Sequence, residues 1–242
     1  MRVPERIRAL ASLLPEGCRC AADIGTDHGL LPILALKEGR AERCIACDLR
    51  EGPLAAARRN AAAAGVSDRV DFRLADGLAG LSPGEADCIV IAGMGGETVA
   101  GILERGREAA LTAGKLILSP QSQLSLVRRW LSDNGFRIAR EDLLTEEGKT
   151  YLLLCAEPGE ERLSEVQAAF GPRLLERRDG LLRGILKSKR DRLARILEKM
   201  PQESRRRADV LAEAALVREG LDAWSAGPKK TDENGPRPFD VM

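Results

Sequence analysis

No apolar run in this chain approaches the roughly 18 residues that a membrane-spanning helix needs. Its opening residues, Met1-Arg2-Val3-Pro4-Glu5-Arg6, carry no hydrophobic segment of the kind a secretory signal requires. A cytoplasmic protein without a membrane partner is therefore expected. The cysteines, Cys18, Cys20, Cys44, Cys47, Cys88 and Cys155, are scattered rather than grouped as a secreted framework, so free thiols are the expectation. Cys44-x-x-Cys47 has the spacing of half a zinc site, but residues i and i+3 of a strand face opposite sides, and no metal is expected there. Two phosphate-binding signatures are also missing. Without Gly-x-x-x-x-Gly-Lys-Ser/Thr no lysine waits for a β/γ-phosphate, and without Gly-x-Gly-x-x-Gly the dinucleotide fingerprint is absent.

What is present is enough, at 242 residues, 44% hydrophobic and 31% charged, to fill one α/β core with something smaller attached. The chain is organised around residues 21–32, where a short buried strand runs into a turn bearing Gly25 and Gly29, and Leu30, Ile33, Leu34 and Leu36 then suit a helix. Glycine accepts positive φ and has no Cβ, so backbone N–H groups and the helix N-terminus can approach a nucleotide-like ligand. Around this turn the pattern predicts a helix at 5–14, strands at 20–24 and 43–47 and a helix at 30–38. Asp48 stops the second strand about 20 residues beyond the turn, the separation at which a carboxylate accepts both ribose hydroxyls.

An alanine-rich helix is expected at 51–64, a third strand at 70–74 and a fourth at 87–91, whose continuous apolar character fits a central parallel strand. After the third strand, Asp76-Gly77 leaves two readings open, contact with an adenine edge or a plain turn. After the fourth, Gly93-Met94-Gly95-Gly96 is a second place where the chain must come close to something, ahead of a helix at 97–106. A strand at 115–119, a helix at 123–134 and a hairpin of 136–144 with 150–155 complete the expectation of a seven-stranded sheet covered by helices on both faces.

From Pro158 the strand signals cease, and helices are expected at 162–170, 172–200 and 202–221, packed as an antiparallel pair or trio whose apolar stripe is too sparse for a separate globular core. Between Gly171 and Arg207 thirteen basic residues stand against five acidic ones, a net of about +8 in a chain whose total is +1. That asymmetry suits a polyanionic partner, the alternative being a solvated arginine-rich face. The expected division is 1–157, 158–222 and a disordered tail at 223–242.

Asp23-Ile24-Gly25-Thr26-Asp27-His28-Gly29 resembles the first motif of S-adenosylmethionine-dependent methyltransferases. Together with Leu31-Pro32, Ile91-Ala92-Gly93-Met94-Gly95-Gly96, Trp130-Leu131, Asn134-Gly135-Phe136, Glu147-Gly148-Lys149 and Tyr151, it resembles the TrmK family of bacterial tRNA adenine-22 N1-methyltransferases over residues 5–156. The resemblance implies a Rossmann-like class I methyltransferase sheet, a helical coiled-coil-like extension, S-adenosylmethionine as cofactor and tRNA as substrate. It places Asp23, Gly25, Thr26, Gly29, Asp48, Leu49, Asp76, Gly77 and Gly93 on the cofactor. Asp27, His28 and Met94 fall at the reacting end, and Gly95, Gly96, Arg173, Arg177, Arg183, Lys187 and Arg190 on the substrate. Leu30 departs from the pattern, because many relatives have tyrosine there.

The chemistry narrows the roles. Methyl transfer from a sulfonium is an in-line displacement that asks mainly for alignment. Adenine N1 gains positive charge as the bond forms, so a carboxylate beside it is useful. Asp27 is the candidate, accepting from the exocyclic amine of adenine, with helix capping as its alternative role. His28, the only histidine, either holds the turn or meets the base or a phosphate. Met94, Gly95 and Gly96 would make an apolar floor under a flipped-out base. The absence of Asn/Asp-Pro-Pro-Tyr after the fourth strand favours a ring nitrogen over the exocyclic amine as acceptor. A monomer is expected. Competing readings are a methyltransferase for a small metabolite or a protein, and a non-catalytic RNA-binding protein on the same scaffold.

Overall fold

Alternating apolar runs and amphipathic stretches fold, in a computed structural model that describes residues 3–226, into two units, 3–161 and 162–226. The first unit runs α1 (Glu5–Ser12), β1 (Cys18–Ile24), α2 (Leu30–Lys37), β2 (Ala41–Asp48), α3 (Glu51–Ala63), β3 (Val70–Leu74) and β4 (Cys88–Ala92). It continues through α4 (Gly96–Arg105), α5 (Arg107–Thr112), β5 (Lys115–Ser119), α6 (Leu124–Asp133), β6 (Phe136–Glu146) and β7 (Lys149–Pro158). The strands form one sheet in the order β3-β2-β1-β4-β5-β7-β6, the first five parallel and β7 antiparallel to both its neighbours. Strand order reverses between β1 and β4, and at such a switch point the loops after two neighbouring strands part to leave a crevice.

Residues fill this frame as their burial demands. Cys88, Ile89, Val90 and Ile91 of β4 are all buried, as a central parallel strand covered on both faces requires. Leu116, Ile117 and Leu118 continue that layer in β5. α1 presents Ala9, Leu10 and Ala11 to the core and leaves Arg8 outside, within ion-pair distance of Glu38 at 3.8 Å. All six cysteines are free thiols, five of them buried. Burial pushes the Cys47 thiol up to about 12, so it carries no reactive thiolate at neutral pH. Among the described residues no cluster of His, Cys, Asp and Glu could hold a metal, and no helix is long and apolar enough to cross a membrane.

In the second unit α7 (Glu165–Phe170), α8 (Pro172–Glu176), α9 (Gly180–Lys199) and α10 (Arg207–Ala226) follow one another. Ser164 and Gln167 close a reciprocal capping box at the start of α7. The single helix expected over 172–200 is broken: Arg178 takes a left-handed φ of 54°, and Asp179 caps α9 by accepting from Leu182 N at 3.0 Å. Trp224 locks the break, donating from Nε1 to Asp179 O at 2.8 Å while its ring lies 5.0 Å from the Arg178 guanidinium and 4.8 Å from that of Arg183. Lys189 pairs with Glu213, and Arg207 donates to the carbonyls of Leu197 and Met200, so α9 and α10 run antiparallel. The apolar set is fuller than the sequence suggested. Phe170, Leu174, Leu175, Leu182, Leu186, Leu193 and Val217 are buried, and Gly220 is needed because a Cβ there would stand 2.6 Å from the Phe170 ring. The unit begins at 162 rather than 158, and α10 carries 223–226, placed in the tail by the sequence reading, as helix. Residues 227–242 of that expected tail lie outside the described residues.

Candidate active site

The bends after β1 and β4 meet. Gly25 takes a φ of 76° and a Cβ there would run into Met94 Cε, so the two loops touch at the one position where only glycine fits. Beside them opens a crevice of about 630 Å³ lined by Asp23, Gly25, Thr26, Asp48, Asp76 and Met94, with further residues described below. That volume lies within the range of small-molecule sites.

Each bend owes its shape to hydrogen bonds inside the sheet. Gly25 N and Thr26 N both donate to Cys47 O, at 2.8 and 2.9 Å, and Gly29 N donates to Thr26 O. The amides expected to face a ligand are therefore spent on the protein. What the turn presents instead is the Thr26 hydroxyl, the Asp23 carboxyl and the open face of Gly25. Gly29 does not line the crevice. A Cβ there would lie 3.0 Å from Ala57 Cβ, so this glycine serves the close approach of α2 to α3. Gly95 and Gly96 are likewise turned away. A Cβ on Gly96 would strike Ser122 O and stand 2.7 Å from Gln123 O, which makes this glycine a packing requirement of α4 rather than a base floor. Ala92, Gly93 and Met94 line that wall.

Asp48 ends β2 with one oxygen accepting from Arg50 N at 2.9 Å and the other from Asp27 N at 3.3 Å. A carboxylate has about four lone-pair sites, so acceptor capacity is left for a diol. Next to it Leu49 is 67% exposed, an apolar side chain left bare at the rim where a flat base could lie. Asp76 accepts from Arg105 Nη2 at 3.2 Å across the same rim, and the φ of 57° at Gly77 sets the turn there.

Asp27 has a left-handed φ of 50° and projects a carboxylate that is 63% exposed, 3.5 Å from His28 Nε2. It does not cap α2, whose N-cap is Gly29 without any side-chain cap bond. His28 is anchored through its backbone carbonyl, which accepts from Asn60 Nδ2 at 2.9 Å, and its ring is left free at the rim. Leu30 lines the crevice where an aromatic was looked for.

Burial pushes the Asp23 carboxyl from 3.8 up to about 6, against the pull of the Thr26 hydroxyl, which stands beside it without closing a hydrogen bond, and of Arg6. The folded chain thus holds this proton more tightly than the unfolded one. Stability falls as pH rises from 3.8 through about 6 and is lower by a constant amount above that. Asp23→Asn should therefore stabilise the ligand-free protein at pH 7.5 by about 2 kcal/mol, with the gap closing below pH 5 in denaturation curves. A variant no more stable than wild type at pH 7.5 would contradict this.

Sequence reasoning missed Arg6, Ile7, Leu10, Thr98, Ile102 and Gln121, all of which border the crevice. A signal existed for Arg6: with Leu10 and Leu13 it stands at i, i+4 and i+7, a cation within the apolar stripe of α1. Of the cations proposed to bind substrate, Arg173 pairs with Glu176, Arg177 with Asp179 and Arg190 with Asp191, while Arg183 lies on Trp224. They are engaged within the helical unit. Lys187 lies on α9 with them. Arg192, Arg195, Lys199 and Arg206 instead line an open concavity of about 780 Å³ at the α9–α10 turn, floored by Ile196 and Met200.

The residues present fit an adenosyl sulfonium: a carboxylate for a diol, an apolar rim for a base, and buried polar atoms, Thr26 Oγ1 and Arg6 Nη1, that have no partner of their own. Comparison with known proteins agrees. Residues 21–219 match the family described as TrmK, tRNA (adenine(22)-N(1))-methyltransferase. The tRNA (adenine(22)-N(1))-methyltransferase of Bacillus subtilis is 36% identical over 66% of this chain and 67% of its own length. The crystal structure of the B. subtilis enzyme superposes with a TM-score of 0.83 at 29% identity, covering 91% of this chain and 99% of that one. A Streptococcus pneumoniae candidate tRNA (m1A22) methyltransferase, solved with S-adenosyl-L-methionine, gives a TM-score of 0.82 at 32% identity over 91% of this chain and 100% of that one.

Proposed function

The chain belongs to the TrmK family of tRNA (adenine(22)-N(1))-methyltransferases, and from that premise we propose that it methylates N1 of adenine 22 in tRNA with S-adenosylmethionine as donor. The observation that carries the reading is the meeting of the Asp23–Gly29 bend with Met94 at the switch point of a seven-stranded sheet. When bound, S-adenosylmethionine supplies a sulfonium-activated methyl group. Asp48 accepts from the ribose hydroxyls, Leu49 and Asp76 meet the adenine, and Gly25 leaves the space the donor occupies. Met94 forms the apolar wall on the acceptor side, with Asp27 and His28 at the opening. Asp27 accepts from the exocyclic amine of the target adenine and stabilises the charge that develops on its ring. No strong base is required, because N1 offers a lone pair and loses no proton.

The helical unit holds the RNA. Its grip is centred on Arg192, Arg195, Lys199 and Arg206, which are gathered around one concavity, with Lys187 on the same helix. The protein works in the cytoplasm as a monomer and needs no metal. Incubating purified protein with labelled S-adenosylmethionine and unmodified total tRNA, then mapping the product, should return N1-methyladenosine at position 22. Binding should weaken steeply as salt rises, as phosphate contacts dictate. Label on another atom, or none in tRNA, would overturn the reading.

A further inference from the structure

Among the described residues three buried side-chain atoms lack a hydrogen-bond partner: Arg6 Nη1, Thr26 Oγ1 and Ser119 Oγ. They gather in one region. Arg6 and Thr26 line the crevice, and Ser119 ends β5, where its carbonyl accepts from Gly93 N at 3.1 Å. A buried guanidinium N–H without an acceptor is costly, and folded proteins rarely leave one unless something else supplies the acceptor.

Arg6 is held for that purpose. Its guanidinium lies 5.0 Å from the centre of the Tyr151 ring, which fixes one face, and Glu5 N donates to Glu146 Oε1 at 2.6 Å, which ties the start of α1 to the β6–β7 hairpin. Nη1 lies 3.7 Å from where a Cβ on Gly93 would stand, so it borders the bend after β4. The nearby carboxylate, Asp23, is buried at the end of β1 and feels the guanidinium only as a charge, with no ion pair formed between them. A fixed cation and a fixed anion, both turned into one end of a crevice and neither neutralising the other, match a zwitterion.

We infer that Arg6 is a cofactor-positioning residue whose Nη1 takes the α-carboxylate of the donor's amino-acid arm, while Asp23 takes its α-ammonium. The inference rests on the cofactor proposed above. Tyr151 then orients Arg6 from behind, which gives the only tyrosine of the chain a place in cofactor binding without contact to the ligand.

Calorimetric titration of the full-length protein with S-adenosylmethionine, decarboxylated S-adenosylmethionine and 5′-methylthioadenosine tests it. Arg6→Met should weaken S-adenosylmethionine by roughly 10- to 150-fold, the range for a hydrogen bond to a charged group. The other two ligands, which have no carboxylate, should stay within about twofold of wild type, and Arg6→Lys should fall between. Equal loss for all three ligands would make Arg6 a scaffold for the hairpin. Unchanged cofactor affinity with a raised KM for tRNA would make it an RNA contact, and either result overturns the inference while leaving the cofactor intact. Should Arg6→Met fail to fold, wild type alone decides, because the inference requires it to prefer S-adenosylmethionine over the decarboxylated form by a similar factor. If wild type binds none of the three, the cofactor reading itself falls.

Discussion

Asp27→Asn lowers kcat on tRNA by roughly 10²- to 10³-fold, the cost of removing one charge-stabilising group from a reacting centre, and leaves the affinity for S-adenosylmethionine nearly unchanged. The separation follows from what each part of Asp27 does. Its backbone N–H serves Asp48, and that bond survives any substitution that keeps the turn. Its carboxylate is well exposed in the free protein, where water screens it, and gains strength only once a base covers it and displaces that water. Asparagine tolerates the φ of 50° and keeps the shape, so it isolates the charge. Alanine should lose the same rate and, in addition, about 1 kcal/mol of stability through the left-handed backbone. Single-turnover methylation with saturating tRNA, beside calorimetric cofactor binding, reads both quantities. Full activity in Asp27→Asn would remove the carboxylate from the mechanism and leave it a turn residue.

The sheet was legible because each of its strands carries a distinctive pattern. Val70–Leu74 and Lys115–Ser119 stand where their patterns put them, and the central strand, read at 87–91, is displaced by one residue to Cys88–Ala92. The site was legible where chemistry sits at a strand end. Asp23, Asp48 and Met94 are found in the crevice because a parallel sheet delivers its carboxyl ends to one edge. What escaped depends on contacts between distant segments. Arg6 reads as one more residue of an amphipathic helix until α1 is seen against the hairpin. Gly29 and Gly96 carry the composition of a ligand loop, yet the atoms a Cβ would meet belong to Ala57, Ser122 and Gln123. Charge was legible as an amount and not as a distribution. The cations of 173–190 include four answered within the unit, whereas those around the α9–α10 turn line a shared concavity. α5 was overlooked because Gly106, read as the end of the preceding helix, is also the N-cap of the next, and a Cβ there would collide with Leu78.

Beneath the hairpin, Arg128 of α6 donates from Nε to Glu141 Oε1 of β6 at 2.7 Å, with the two side chains only 1% and 0% exposed. Burying both charges costs solvation that the pair's attraction and further hydrogen bonds must offset, so the pair as a whole contributes little. Breaking it is another matter. Arg128→Met leaves a carboxylate enclosed among apolar neighbours and should destabilise the methyltransferase unit by about 3–5 kcal/mol. Arg128→Met combined with Glu141→Leu removes the stranded charge as well and should recover most of that loss, because methionine and leucine fill similar space and need no partner. Urea denaturation of wild type, both single variants and the double variant closes the cycle, with the coupling between positions as the readout. A double variant as unstable as the sum of the singles would show that each residue answers to other groups and that the pair has no energetic identity. Recovery would mean that this charge pair specifies how α6 meets β6 without being what holds them together.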